Sequence, residues 1–197
     1  MINYLIFSIL LFLQGQILSP INSIDRKDFS KIKLTNIGQF GLIRIARSNV
    51  PEHYHTGIDI KRPNNNYDNE PIFPLSEGKV ISIRTDGAYA QLIIEHEMNR
   101  KKFWTLYEHI AGIKVKVNDL VKPSIPIARF MNKDELNRFG WQFDHFHLEI
   151  LKVRPKEMKP DKEHPERYFY SYTLTCYSLN DLHKYFFDPI GFMKNKE

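Results

Sequence analysis

Short apolar runs separated by turn-forming residues dominate the chain from about residue 39 onward. Alternating apolar and polar positions favour a strand at Gly78–Arg84, and the Asp86–Gly87 pair that follows is a hairpin signal. Further strands are predicted at residues 39–47, 90–97, 102–110, 113–117, 125–130 and 145–151, with helical turns only at 132–139 and 178–186. Many short strands with tight connections predict a mainly β fold, namely a compact antiparallel β-sheet domain.

The N-terminal end departs from this pattern. Residues 4–13 are apolar, and no charged side chain precedes Asp25. This block is too short to span a bilayer of about 30 Å as a helix, and it is typical of a secretory signal peptide with cleavage after Gly15. The absence of Lys and Arg before the block leaves a retained anchor or a buried N-terminal element open. We expect a signal peptide at 1–15, a lead-in segment at 16–38, a domain at 39–193 and an extracytoplasmic location.

Composition narrows the class of protein. A chain of 197 residues with 42% hydrophobic content can bury the core of one domain, and we expect a monomer. The net charge is +5, but the densest basic run, residues 152–167, interleaves acidic side chains, which indicates a solvated loop and no nucleic-acid partner. The single cysteine, Cys176, excludes an internal disulfide, so any zinc site must use histidine and carboxylate ligands.

Two histidines stand on one face of the last long predicted strand. Residues i and i+2 of a strand point the same way, so His145 and His147 look out on one side and Phe146 on the other. Imidazole is the commonest metal-binding side chain. The pair therefore indicates either a metal or catalytic site, or two half-exposed strand histidines.

A carboxylate and further histidines occur earlier in the chain. His55 and Asp59 would lie about 13 Å apart on a straight strand, so a shared ion requires a bend, which Gly57 permits. Spacing alone leaves open a simple glycine turn, and it allows His53 to replace His55. Two histidines and a carboxylate with an open fourth position form the ligand set of a hydrolytic zinc site. The chain contains neither a Gly-x-Ser-x-Gly elbow nor a His-Glu-x-x-His helix motif.

Five stretches of the chain occur in an order that is similar to one family. They are "HTGIDI", "EPIFPLSEGKVISI", "LIIEHE", "TLYEHI" and "HFHLEI". Together they resemble the lysostaphin/LytM-type zinc peptidases, peptidase family M23, over residues 47–151, and "FFDPIGFM" at 186–193 resembles the closing Asp-Pro segment of that family. The resemblance implies an antiparallel β-sheet domain of the duplicated-hybrid-motif type with a substrate groove.

The resemblance also implies roles for individual residues. The His-x-Gly-x-Asp register makes His55, Asp59 and His147 the Zn²⁺ ligands, and it excludes His53. His109 and His145 match the two catalytic histidines of the family. The remaining histidines match no catalytic position: His96 is expected to be a structural polar residue, and the ones expected at the surface are His164 and His183.

The function implied by the resemblance is zinc-dependent hydrolysis of peptide cross-links of bacterial peptidoglycan, with a metal-bound water as nucleophile. Two alternatives remain: a non-catalytic relative that binds peptidoglycan or regulates a hydrolase, and a zinc peptidase acting on non-wall peptides. The expected partner is a peptidoglycan peptide, with no stable membrane insertion after signal cleavage.

Two departures from the family pattern concern the groove. The turn before His145 is long and bulky, and residues 152–185 form an insertion before the closing segment. A narrow, strand-lined cleft near Trp104, Tyr107 and Trp141 would suit extended wall peptides and would discriminate this function from the alternatives.

Overall fold

The computed structural model describes residues 15–195, which fold mainly as antiparallel strands. The strands are β1 (Ile43–Arg44), β2 (His53–Tyr54), β3 (Ile58–Lys61), β4 (Pro71–Ile72), β5 (Gly78–Arg84), β6 (Gln91–Met98), β7 (Lys101–Glu108), β8 (Leu120–Val121), β9 (Ala128–Arg129), β10 (His145–Leu151), β11 (Lys156–Glu157), β12 (Phe169–Tyr170) and β13 (Phe186–Phe187). The helices are α1 (Lys133–Phe139), α2 (Leu179–Tyr185) and α3 (Pro189–Asn195).

One seven-stranded sheet organises the domain. Its strand order is β13-β10-β7-β6-β5-β8, and β3 pairs with the N-terminal part of β10, beside the place where β13 pairs with its C-terminal part. Every pairing in this sheet is antiparallel. The predicted fold class is therefore confirmed.

The two faces of the sheet are buried by different parts of the chain. Phe146, Leu148 and Ile150 of β10 point into the main hydrophobic core with Tyr107 of β7. The opposite face, which carries the other residues of β10, packs Trp104 and Leu106 against residues 176–186. The alternation along β10 thus separates a purely apolar face from one that carries histidines.

The insertion segment, residues 152–185, crosses this second face. Its Cys176, Leu182 and the adjoining Phe186 are fully buried there. At the far side of the sheet, the hydroxyl of Ser82 on β5 accepts from the backbone N–H groups of Tyr168 and Phe169, at 3.0 and 3.1 Å. The insertion segment is therefore a packed cover over the sheet.

The lead-in segment also belongs to the packed body of the protein. Ile17, Ile21 and Ile32 are buried in the main core, and isolated β-bridges join Ile21 to Ile72 and Leu34 to Ile60. Burial of these apolar side chains stabilises the folded domain. The irregular, polar sequence of the segment did not predict this burial.

Both helical turns predicted from the sequence are present as short helices with recognisable caps. Asn132 caps α1 in a capping box with Glu135, and the side chain of Ser178 accepts from Asp181 N at the start of α2. The helices described between residues 15 and 195 are too short or too polar to cross a membrane. The predicted signal peptide lies outside the described residues except for Gly15.

Three predicted strands are wrong in extent. Residues 113–117 form no strand, although Ile113, Val115 and Val117 pack partly buried against the core. The predicted strand at 125–130 is only Ala128–Arg129, and the one at 39–47 is only Ile43–Arg44. At residues 113–117 the apolar side chains contact the core from a loop, whereas Ile43 and Ile45 of the predicted strand at 39–47 are exposed.

Candidate metal centre

Three of the predicted site residues meet at one buried point. His55 follows β2, Asp59 lies on β3, and His147 lies directly opposite Asp59 on β10. His55 Nε2 lies 2.9 Å from His147 Nδ1 and 3.1 Å from Asp59 Oδ1. His147 Nδ1 and Asp59 Oδ1 are 3.0 Å apart. The three side chains are at most 7% exposed.

The chain reaches this arrangement by bending between two short strands. β2 ends at Tyr54 and β3 begins at Ile58, so His55 is outside both strands and turns back towards Asp59. A Cβ on Gly57 would lie 2.2 Å from Leu148 O and 2.8 Å from His147 Cε1. Glycine is required here for the close approach of β10, which adds a second reason to the backbone freedom expected from the sequence.

The donor atoms fit a tetrahedral divalent ion. Ligand atoms about 2.1 Å from a tetrahedral ion lie about 3.4 Å from one another, so the observed triangle need open only by a few tenths of an ångström. Two imidazole nitrogens and one carboxylate oxygen are the donor set of catalytic zinc sites, which leave a fourth position open. His55, Asp59 and His147 are the group identified among the described residues as able to hold a metal ion.

His55 and Asp59 are each held by a second group from the region before residue 53. The carbonyl oxygen of Gln39 lies 2.8 Å from His55 Nδ1, which must donate to it, so Nε2 keeps its lone pair for the cluster. Arg44 on β1 donates to Asp59 Oδ2 at 2.6 Å. The guanidinium thereby leaves only Oδ1 of Asp59 directed at the two imidazoles.

His147 is held by a buried carboxylate. Its Nε2 donates to Glu149 Oε1 at 3.1 Å, which leaves Nδ1 facing the cluster. Glu149 is 1% exposed, and three hydroxyl groups donate to it. Those of Thr56 and Thr173 donate to Oε1, and that of Ser171 donates to Oε2. Carboxylate–histidine pairs of this kind fix the tautomer and the orientation of metal-binding imidazoles.

The electrostatics of the cluster favour positive charge. Burial alone would lower the pKa of His147, but its hydrogen bonds to Asp59 and Glu149 outweigh burial and raise that pKa to about 10. Burial likewise opposes ionisation of Asp59, yet hydrogen bonds from His147 and His55 hold the pKa of its carboxyl well below the usual range. Two ionised carboxylates around one imidazole create a place where a cation is stabilised.

The other two predicted histidines lie beside the cluster. The rings of His109 and His145 meet edge to face with centroids 5.2 Å apart, and His145 Nε2 lies 3.8 Å from Asp59 Oδ1. His109 Nδ1 donates to Ala88 O at 2.5 Å, so Nε2 is the nitrogen free to accept a proton. Burial lowers the pKa of each ring to about 4, which keeps both neutral at pH 7.

Aromatic side chains from two loops flank these rings. Phe143 packs against His109 with centroids 4.8 Å apart, and the half-exposed ring of Tyr89 contacts both of them. Trp141 is exposed. The other two aromatic residues considered for a substrate cleft do not line one: Tyr107 is fully buried in the core, and Trp104 is buried beneath the insertion segment.

Glu108 is a neighbour of the cluster that the sequence analysis did not single out. It lies directly opposite His147 on β7 and therefore on the same face of the sheet. Its Oε1 accepts from Gln91 Nε2 at 3.2 Å, and burial raises the pKa of its carboxyl. Only its position immediately before His109 could have drawn attention to it.

The four remaining histidines lie away from the cluster. His96 is buried, with Nδ1 2.8 Å from Glu77 O and Nε2 2.7 Å from Thr105 Oγ1, as expected for a structural polar residue. His53 is buried with Nδ1 2.9 Å from Pro51 O. His183 is exposed as expected, whereas His164 is half-buried near Asp86, because the insertion segment packs it against the sheet.

Several solved structures are similar to this chain. A zinc-containing peptidase from Vibrio cholerae is 23% identical with a TM-score of 0.46, over 69% of this chain and 37% of that one. Lysostaphin from Staphylococcus simulans, an antimicrobial peptidase, is 18% identical with a TM-score of 0.48, over 83% and 50% of the two chains. A catalytic domain of the prophage-encoded M23 protein EnpA from Enterococcus faecalis is 18% identical with a TM-score of 0.42, over 78% and 94%. The chain thus spans half or less of the first two proteins.

The family itself is established by the sequence. None of the curated proteins compared with the chain matches it. The family model described as peptidase family M23 matches residues 53–160, more than half of the chain, and this range contains all five clustered residues. The chain therefore belongs to peptidase family M23.

Proposed function

We propose that the protein is a zinc metalloendopeptidase that hydrolyses peptide cross-links of bacterial peptidoglycan. The observation that carries the proposal is the buried triangle of His55 Nε2, Asp59 Oδ1 and His147 Nδ1, with atoms 2.9–3.1 Å apart, in a chain of a peptidase family. In this proposal those three residues hold Zn²⁺. When bound, zinc supplies a Lewis acid that polarises a carbonyl group and lowers the pKa of bound water towards about 7.

The chain's own groups supply proton transfer and orientation. His109 and His145 are neutral at pH 7, and His109 Nε2 carries a free lone pair because Nδ1 donates to Ala88 O. These rings are the proposed catalytic residues: the ring that accepts the proton of the attacking water becomes an imidazolium and then delivers that proton to the leaving amine. While it is protonated, this imidazolium also provides an N–H donor for the oxyanion.

The surroundings of the site support an extended peptide as substrate. Tyr89 and Trp141 offer exposed aromatic surface at the loops beside His109 and His145. Trp141 packs edge to face on Tyr67 and donates to Asn137, so the loop that carries it is braced. Such a braced, apolar wall next to a polar centre is typical of substrate-binding clefts.

Export agrees with a substrate outside the membrane. We propose that residues 1–15 act as a signal peptide and that the domain acts in the periplasm or cell wall as a monomer. The peptidase family and the apolar block at residues 4–13 both support export, and they are independent features of the sequence.

The test uses zinc-loaded protein lacking residues 1–15 and purified peptidoglycan with glycine-bridged or direct cross-links. New amine and carboxylate ends at one defined peptide bond, identified by mass spectrometry and abolished by a chelator, are expected. Intact wall material of both types together with cleavage of unrelated peptides would instead identify a zinc peptidase of non-wall substrates. Intact wall and intact peptides despite bound zinc would contradict the enzymatic proposal.

A further inference from the structure

The insertion segment contacts the candidate metal centre through hydroxyl groups. We propose that Ser171 and Thr173 are positioning residues of the metal site. They hold Glu149, and Glu149 holds the His147 ring with Nδ1 directed at the ion. The inference deepens the proposed function, because it rests on zinc binding at this cluster.

The hydroxyl groups around Glu149 come from two different parts of the chain. Three hydroxyls converge on the buried carboxylate of Glu149, and two of them belong to the insertion segment. Ser171 and Thr173 lie beyond the range 53–160 matched by the family model, whereas Thr56 and Glu149 lie within it. The matched part of the chain thus supplies the ligand, its carboxylate partner and one hydroxyl, and the insertion segment completes the set.

The backbone that carries these two hydroxyl groups is hydrogen-bonded to the rest of the domain on both sides. On one side, Phe169 N donates to Ser82 Oγ on β5 at 3.1 Å. On the other side, Tyr54 N donates to Cys176 O at 2.9 Å, and the Cys176 side chain is fully buried. Residues 171–173 are therefore held between two anchors on the domain, one on each side.

The His147 imidazole needs a hydrogen-bond acceptor for its Nε2 proton. A neutral histidine that offers Nδ1 to a metal carries its proton on Nε2, and this proton needs an acceptor because His147 is buried. Glu149 Oε1 is that acceptor at 3.1 Å. A carboxylate that has lost hydroxyl partners can rotate away from Nε2, and the imidazole then loses both its tautomer preference and its orientation. Outer-shell partners of this type are worth about 10–100-fold in metal affinity.

The experiment compares single variants of the full chain. Zinc affinity is measured by competition with a chromophoric chelator, and the absorption spectrum of the Co²⁺-substituted protein reports the coordination geometry. We expect Thr173→Val to weaken zinc binding about tenfold or more and to change the Co²⁺ spectrum. Thr173→Ser, which keeps the hydroxyl, should restore both properties, and Ser171→Ala should weaken binding in the same direction.

The chain offers a matched control in Thr175. It lies two residues further along the same turn and is exposed, and its hydroxyl donates to Tyr172 O at 2.9 Å and makes no hydrogen bond to Glu149. Thr175→Val should bind zinc like the unsubstituted protein. If it loses affinity as much as Thr173→Val, the insertion segment acts only through packing and the inference is wrong.

The remaining outcomes also decide the question. Unchanged affinity and an unchanged spectrum in folded Thr173→Val would overturn the inference and leave the proposed function intact. If Thr173→Val does not fold, Ser171→Ala gives the answer by the same two measurements. If the unsubstituted protein binds no zinc, the proposed function and this inference both fail.

Discussion

His109 and His145 face each other edge to face beside the cluster of His55, Asp59 and His147, with ring centroids 5.2 Å apart. They lie at the same end of two neighbouring antiparallel strands: His109, with a positive φ of 62°, directly follows β7, and His145 begins β10. A non-glycine residue in this left-handed region costs free energy that the surrounding structure must supply. The fold thus accepts local strain to direct the His109 ring towards its partner.

This relationship gives the first prediction. His109→Asn should keep zinc and lose about 10²–10⁴-fold in kcat, because one proton-transferring group is gone. Asparagine is chosen because it tolerates a positive φ better than alanine does. Zinc content, kcat and KM check this. Turnover close to that of the unsubstituted protein would remove His109 from the catalytic set, and His183→Asn, at an exposed position on α2, serves as the control.

Removal of the metal should lower the stability of the folded state. A ligand that binds only the folded protein stabilises it by about 4 kcal/mol when present at about 1,000 times its Kd. We therefore expect a chelator to lower Tm of the unsubstituted protein.

The matched comparison is His147→Ala, which should bind no zinc and show the same Tm with and without chelator. A chelator effect of equal size in both proteins would place the stabilising ion elsewhere.

Gly57→Ala should damage the site through β10. The added Cβ would lie 2.2 Å from Leu148 O and 2.8 Å from His147 Cε1, so one of the two strands must move. We expect a loss of about 1–3 kcal/mol in the free energy of unfolding together with weakened zinc binding.

The control is Gly191→Ala in α3, where the nearest atom to the added Cβ is Asp188 Oδ2 at 3.3 Å. Alanine should be neutral or stabilising by up to about 1 kcal/mol at a helical position. Denaturant unfolding and the chelator competition measure both variants. Normal zinc affinity in Gly57→Ala would show that the close approach of β10 is not needed for the site.

His96 should make the protein sensitive to acid. Burial lowers the pKa of this ring to about 4, whereas the ring has a pKa of about 6.5 in the unfolded chain. The contribution of the neutral ring to stability is therefore complete above pH 6.5, and it is lost as the pH falls from 6.5 towards 4. The loss approaches about 1.4 kcal/mol per pH unit within that window.

His96→Gln removes the titrating group. The slope of unfolding free energy against pH, measured on chelated protein, should be shallower for this variant by up to one proton between pH 6.5 and 4. The difference between the two proteins at pH 8, where the ring is neutral in both states, gives the baseline. Identical slopes would contradict the assignment of this proton to His96.

Local hydrophobic patterns predicted the long strand that carries His145 and His147, but they also predicted a strand where the structure has a loop. The alternation at residues 145–151 identified β10 with the observed bounds, because one face is apolar and the other polar. A similar alternation at residues 113–117 gave a strand that does not exist. There the apolar side chains reach the core from a loop, and period-two patterns do not distinguish these two cases.

Sequence motifs predicted the residues of the cluster, but they did not predict the groups that hold those residues in place. The spacing of His55, Gly57 and Asp59 raised the need for a bend, which the break between β2 and β3 provides. Arg44 and Thr173 could not be identified in this way. Each contacts a site residue that is distant in sequence, so only the tertiary fold brings them together.

The burial of Ile17 bears on whether the proposed signal-peptide cleavage comes before or after folding. Gly15 lies against the body of the domain, where an added Cβ would be 3.3 Å from Ser76 Oγ and 3.9 Å from Met98 Cγ. Cleavage after Gly15, as proposed, would therefore leave only Gln16 ahead of a residue locked into the core. A processing protease needs several extended residues in its own cleft, so the cut would have to precede the docking of this segment. The N-terminal segment would then dock onto the domain only after the cut, so that folding is completed after cleavage of the signal peptide.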